Sequence, residues 1–307
     1  MKRPLLVISS LLLTVQFAAA FASARPSPKV AIRSIPQRHP REMFAAAKSW
    51  CLYYGGAKPN AVERLGAHDI VVIDAHALGD EARDIIAGLR AKGCVVIGYL
   101  SCFEVASWHR YLDRVNPKWI VKVNGENWVP WGENNAASLG IPEWRKLLVE
   151  LVKSEVLDYG CDGVFMDTIA DLDSGKLPED QRAIELDGLD KLLAEFRAAY
   201  PNIVLIGNWT LQQTLPVVAP YVDAVCWEGF RANRFDPSDP ETLKWMQNIV
   251  SKLAAESERH PFRVLSLWCD EKPTDDSPAL RQRMFEISKE YGYLPYCCEK
   301  SYGHDLP

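Results

Sequence analysis

Three carboxylates stand directly behind runs of apolar residues. Asp74 follows Ile70-Val71-Val72-Ile73, Asp167 follows Gly163-Val164-Phe165-Met166, and Glu228 follows Ala224-Val225-Cys226-Trp227. An acid at the end of a buried run loses water at a cost, which a catalytic role would explain. An Asp there can also form a turn or cap a helix, so Asp74 and the Asp167-Thr168 pair keep that second reading. Glu is a poor cap, and Glu228 is harder to account for structurally. The ends of the other runs supply Tyr54, Ser101, Asn208 and Trp268, with Tyr99, Trp209 and Trp227 beside them. Two opposed carboxylates among hydrogen-bonding groups and aromatic planes suit glycosidic cleavage. One acid protonates the leaving oxygen, and the other attacks or stabilises the oxocarbenium-like centre. Aromatic faces pack on the C–H faces of sugars while polar neighbours hold the hydroxyls.

Eight apolar runs could position these groups: 50–54, 69–74, 94–100, 163–167, 203–208, 224–228, 264–268 and 293–297. They are continuous rather than alternating, as in parallel strands covered on both faces. Between them the spacing predicts helices over 80–92, 142–159, 185–200, 240–258 and 278–291. Pro142 opens the second of these, and Gly93, Gly160 and Gly292 sit where helix ends need left-handed residues. This pattern predicts an α/β fold, a single (β/α)8 TIM barrel, whose active site lies at the C-terminal ends of the strands. No GxGxxG follows the first strand, which disfavours a doubly wound nucleotide fold. The interval Ser101–Ala137 is an extended loop after strand 3. It carries Trp108, Trp119, Trp128 and Trp131, a content that argues against disorder.

The chain of 307 residues is 48% hydrophobic and 24% charged, enough for one large core, and its formal charge of −5 disfavours a nucleic-acid partner. Lys2-Arg3, an uncharged stretch and Ala22-Ser23-Ala24 follow the order of a secretory signal, so cleavage is expected after Ala24. Residues 25–46 read as a Pro/Arg-rich linker and 47–307 as the barrel. The protein is expected to be secreted or periplasmic, monomeric, and free of the membrane once cleaved. Among six histidines there is no HxH or HExxH, so neither a metal nor another cofactor is expected. Eight cysteines permit disulfides, but their spacing leaves the pairing open.

Several segments resemble glycoside hydrolase family 114, the endo-α-1,4-polygalactosaminidases and their bacterial relatives. Gly98-Tyr99-Leu100-Ser101-Cys102-Phe103-Glu104 is similar to the family's Gly-Tyr-Leu-Ser-x-Gly-Glu, and Pro142-Glu143-Trp144-Arg145 to its helix start. Asp162-Gly163-Val164-Phe165-Met166-Asp167-Thr168 resembles its Asp-Gly-Val-Phe-x-Asp-Thr block, the most specific match. Ile206-Gly207-Asn208 and Trp227-Glu228 take the places of its fifth and sixth strand ends. The resemblance runs from about Trp50 to Trp268.

The resemblance implies a TIM-barrel hydrolase of α-linked amino-sugar polysaccharide, with Asp167 as nucleophile and Glu228 as general acid/base. Tyr54, Asp74, Tyr99, Ser101, Glu104, Asn208 and Trp268 are then expected to bind substrate. Two departures stand out. Phe103 replaces the family's Gly, and the acid often found three residues past Asp167 is Ala170, with Asp171 one place late. They point to a reshaped subsite, or to a catalytically silent carbohydrate-binding barrel as the alternative.

Overall fold

A computed structural model describes residues 38–269, 278–298 and 303–307. The expected signal peptide, and linker residues 25–37, lie outside the described residues. One compact unit, His39–Pro307, holds the fold. Eight parallel strands form one sheet in chain order: β1 (Trp50–Tyr53), β2 (Ile70–Ile73), β3 (Val95–Ser101), β4 (Gly163–Asp167), β5 (Val204–Asn208), β6 (Ala224–Glu228), β7 (Arg263–Trp268) and β8 (Leu294–Cys297). β1 and β8 meet where Trp50 Nε1 donates to Leu294 O at 2.8 Å. Each of the eight runs seen in the sequence is a strand, because a Val/Ile-rich segment buried on both faces has no polar side to give to solvent.

Helices α1 (Pro40–Ala46), α2 (Ala61–Leu65), α3 (Ala82–Ala91), α4 (Pro142–Leu151), α5 (Glu179–Ala199), α6 (Leu215–Val218), α7 (Pro240–Arg259) and α8 (Pro278–Glu290) accompany the strands. α3 buries Ile85, Ile86 and Leu89, the face its spacing marks. Gly93, Gly160 and Gly292 take φ of 95°, 98° and 72°, the left-handed conformation that lets a strand follow a helix at once.

Three elements differ from the sequence reading. The helix expected over 142–159 stops at Leu151 and continues as a π turn (Val152–Val156) and a 3₁₀ turn (Leu157–Tyr159). The wider turn accompanies close packing on β3, where a Cβ on Gly98 would come within 2.8 Å of Val156 Cγ1. α5 begins at Glu179 rather than 185, its first turn carrying Glu179 and Asp180 in place of an apolar stripe. α1 falls in the stretch assigned to the linker; its Phe44 is buried, and Arg263 Nη1 donates to Phe44 O (2.9 Å) and Ala47 O (2.7 Å).

The extended loop after β3 is ordered by small ladders. Glu104–Val105 pairs antiparallel with Asn135–Ala136. Lys122–Val123 and Glu126–Asn127 form a hairpin turned by Asn124-Gly125, with φ of 54° and 86°, the Asn-Gly pairing such turns favour. Cys269 and Cys298, just past β7 and β8, form a disulfide, while Cys51, Cys94, Cys102, Cys161 and Cys226 are buried thiols. No helix among the described residues is long and apolar enough to cross a membrane.

Candidate active site

The last residues of β4, β5 and β6 are Asp167, Asn208 and Glu228, and the parallel register brings all three together. Asn208 joins them. Its Nδ2 donates to Asp167 Oδ1 (2.9 Å) and to Glu228 Oε2 (2.7 Å), so both amide hydrogens are committed to carboxylates. Tyr99 on β3 donates its hydroxyl to the other Asp167 oxygen at 2.9 Å. Burial and the Asp167 charge hold the Tyr99 phenol protonated well above its usual range, which keeps it a donor.

The two acids are not equivalent. Glu228 is pushed up to about 7, first by burial and then by the Asp167 charge, with the Asn208 bond opposing both. Asp167 accepts two side-chain hydrogen bonds, one on each oxygen, which fix its orientation in the cleft.

The residues that follow these strand ends hold unusual backbone. Thr168 and Trp209 have φ of 67° and 51°, costly for residues with a Cβ and maintained by their surroundings. Thr168 Oγ1 accepts from Phe103 N (2.9 Å) and Glu104 N (3.0 Å) and donates to Asp167 O (2.7 Å), tying the β3 loop to β4. Trp209 N donates to Cys226 O (2.8 Å), and its indole donates to Glu228 O (2.9 Å).

Asp167, Asn208 and Glu228 open into a cleft of about 660 Å³. Six carboxylates line it (Glu104, Glu133, Asp167, Asp171, Asp173 and Glu228), and among the described residues no Lys or Arg does. Asp173 is structural: its oxygens accept from the backbone nitrogens of residues 211–214 and from Thr214 Oγ1. Asp171 is different. Trp131 Nε1 donates to its Oδ1 at 2.6 Å, and its carboxyl also hydrogen-bonds that of Glu104. Burial, with the charges of Glu104 and Asp167, lifts Asp171 to about 8. Glu104 accepts from Asn134 Nδ2 at 2.8 Å, and Lys176 Nζ lies 3.9 Å from the centroid of the Trp131 ring.

The expected residues therefore divide. Asp167, Glu228, Asn208, Tyr99 and Glu104 line one cleft. Asp74 does not; it lines a neighbouring hollow of about 90 Å³ with His76, His109 and Glu155, and its Oδ1 accepts from His76 N as a turn former would. Ser101 is only 3% exposed and its hydroxyl is spent on Glu104 O and Thr168. Trp268 is buried at 2% exposure, part of the core, and Tyr54 packs edge-on against Tyr99 at 5.3 Å without lining the cleft. Phe103 is fully buried against Trp128, so it narrows nothing. Ala170 and Asp171 both line the cleft, within the 3₁₀ turn Ile169–Asp173. No apolar run marks Asp171, Trp131 or Glu133 as site residues, though all three line the cleft. The position of Asp171 one place late, and Trp131 in the tryptophan-rich loop, were the available signals.

The Asn208-Trp209-Thr210 sequon cannot carry glycan here, with the amide buried and doubly bonded. Asp162, the first acid of the Asp162–Thr168 block, is also structural, accepting from Val96 N and pairing with Arg90.

Among solved structures, the glycoside hydrolase domain of PelA from Pseudomonas aeruginosa matches with TM-score 0.65 and 20% identity, over 85% of this chain and 97% of that one. Ega3 from Aspergillus fumigatus, in complex with galactosamine, matches with TM-score 0.61 and 15% identity, over 84% and 93%. An α-galactosidase from Thermus thermophilus matches with TM-score 0.55 and 14% identity, over 85% and 58%. These likenesses establish a TIM barrel. No curated protein matches the chain. The family model for glycoside-hydrolase family GH114 matches residues 33–252, a span that includes β1 to β6 and every residue of the Asp167–Asn208–Glu228 cluster, and the chain belongs to that family.

Proposed function

We propose that the cleft hydrolyses α-linked amino-sugar polysaccharide with retention of configuration. The observation that carries this reading is the Asn208 amide shared between Asp167 and Glu228. The two bonded oxygens lie closer together than its two hydrogen bonds laid end to end. That limit falls short of the roughly 6.5–9.5 Å that leaves room for an inverting water, which supports the closer, retaining arrangement of roughly 5–5.5 Å. An Asp167 oxygen attacks the anomeric carbon while Glu228 gives its proton to the departing glycosidic oxygen, forming a glycosyl ester. Glu228, now ionised, takes a proton from water, whose oxygen attacks the same carbon and releases Asp167. Asn208 and Tyr99 hold the nucleophile and spread its charge as it forms the bond.

The acid-lined cleft supports a cationic sugar. Glu104 and Asp171 present a hydrogen-bonded carboxyl pair, a seat for a free amino group, and the Ega3 neighbour was solved with galactosamine. The order of residues 2–24 supports export, with the mature chain beginning near Arg25.

The test is product release from α-1,4-linked galactosamine polymer and its N-acetylated counterpart, read by mass spectrometry, with the anomer followed by NMR. Asp167→Asn and Glu228→Gln each lower turnover by about 10³-fold or more while the fold, read by circular dichroism, is retained. Inverted product overturns the nucleophile assignment. Binding without release in the wild-type protein favours the silent barrel instead.

A further inference from the structure

Trp209 lines the cleft. That indole also borders a second hollow of about 590 Å³, lined by Asn233, Arg234, Asp239, Thr242 and Trp245. Trp245 comes from α7 and faces Trp209 with ring centroids 6.5 Å apart and planes 29° apart. It is held edge-on against buried Trp227 at 6.4 Å and 78°. Trp209 is fixed through Cys226 O and Glu228 O, so neither ring is free to turn. Neither tryptophan is fully buried, although each would gain by covering its remaining apolar area.

The groups around them are polar and in part fixed. Asp239 is oriented by the backbone nitrogen of Thr242 at 3.1 Å, and Asn233 is exposed. Flat aromatic surface edged by an amide, a hydroxyl, a carboxylate and a guanidinium matches a pyranose, whose C–H face is apolar and whose rim is hydroxyl. Trp209 is the residue common to both hollows, so a chain lying along its indole would reach from the first toward the second.

We propose that Trp209 and Trp245 form a distal sugar subsite, which holds a further unit of the polysaccharide chain whose bond is cut beside Asp167 and Glu228. This rests on the glycosidase reading above and deepens it by naming the residues that would grip a unit remote from the cut bond. Binding energy gathered there is available only to substrates long enough to reach it.

The experiment is a ladder of α-1,4-linked galactosamine oligomers cleaved by wild type, Trp245→Ala and Trp245→Leu. Leucine keeps apolar packing on Trp227 but offers no flat face. The expected result is a loss of kcat/KM that grows with oligomer length and is about tenfold greater on the longest oligomers than on the shortest. A Trp245→Leu loss that is independent of length, or no loss at all, overturns the subsite while leaving the glycosidase reading intact. A wild-type protein that cleaves no oligomer overturns that reading itself, and the subsite with it, before any variant is compared.

Discussion

Asp167 and Glu228 share one amide, so the charge of either is felt by the other, and pH separates their roles. Glu228 must hold its proton to act as an acid, and its position near 7 predicts that kcat/KM falls as pH rises past about 7. The same shift has a stability consequence. Between 4.5, the ordinary glutamate value, and about 7, the folded state holds a proton that the unfolded chain releases, so wild-type stability declines as pH rises through that window. Glu228→Gln lacks this decline. Its Tm relative to wild type should climb from about pH 5 to about pH 8, and a flat difference would contradict a raised Glu228. Asp167, Glu228 and Asn208 were legible in the sequence because they end buried runs. Asp74, Ser101 and Trp268 end such runs too and yet do not line the cleft. Successive strand side chains point to opposite faces, so a place at a strand end does not fix where the side chain goes. Asp171 and Trp131 sit in a turn and a loop, where no periodicity marks them.

All eight strands were legible because continuous apolar runs in this pattern admit few other folds. The π turn after α4 was not, since Leu147, Leu148, Leu151 and Val152 read as one uninterrupted helix face. It packs on β3 at Gly98. Gly98→Ala should cost about 1–3 kcal/mol in urea unfolding, because the new methyl meets Val156 in a filled core. Adding Val156→Ala should return part of that loss, a coupling that two independent sites would not show. The short helices α2 and α6 were passed over for a simpler reason: one turn is too little chain for a period to register.

The fold as a unit begins at α1, and the boundary at 47 missed it because a single buried Phe44 gives no stripe. A chain starting at His39 should therefore unfold at the full-length midpoint. One starting at Lys48 should lose about 3 kcal/mol or more, with Phe44 removed and Arg263 left without its carbonyl partners. The molecule's charge works at long range. With a formal charge of −5 and a cleft of carboxylates, kcat/KM on a cationic polymer should fall as salt is raised, whereas an uncharged N-acetylated oligomer should show little dependence.

The bond from Trp209 N to Cys226 O bears on how this protein ages. Asparagine deamidates when the next residue's backbone nitrogen attacks the side-chain carbonyl, and at Asn208 that nitrogen is already committed while the amide itself is clamped by two acids. The exposed Asn124-Gly125 turn has no such protection. On prolonged storage the hairpin should acquire aspartate first, visible by peptide mapping, while the amide at the centre of the cleft, and turnover with it, outlasts the surface.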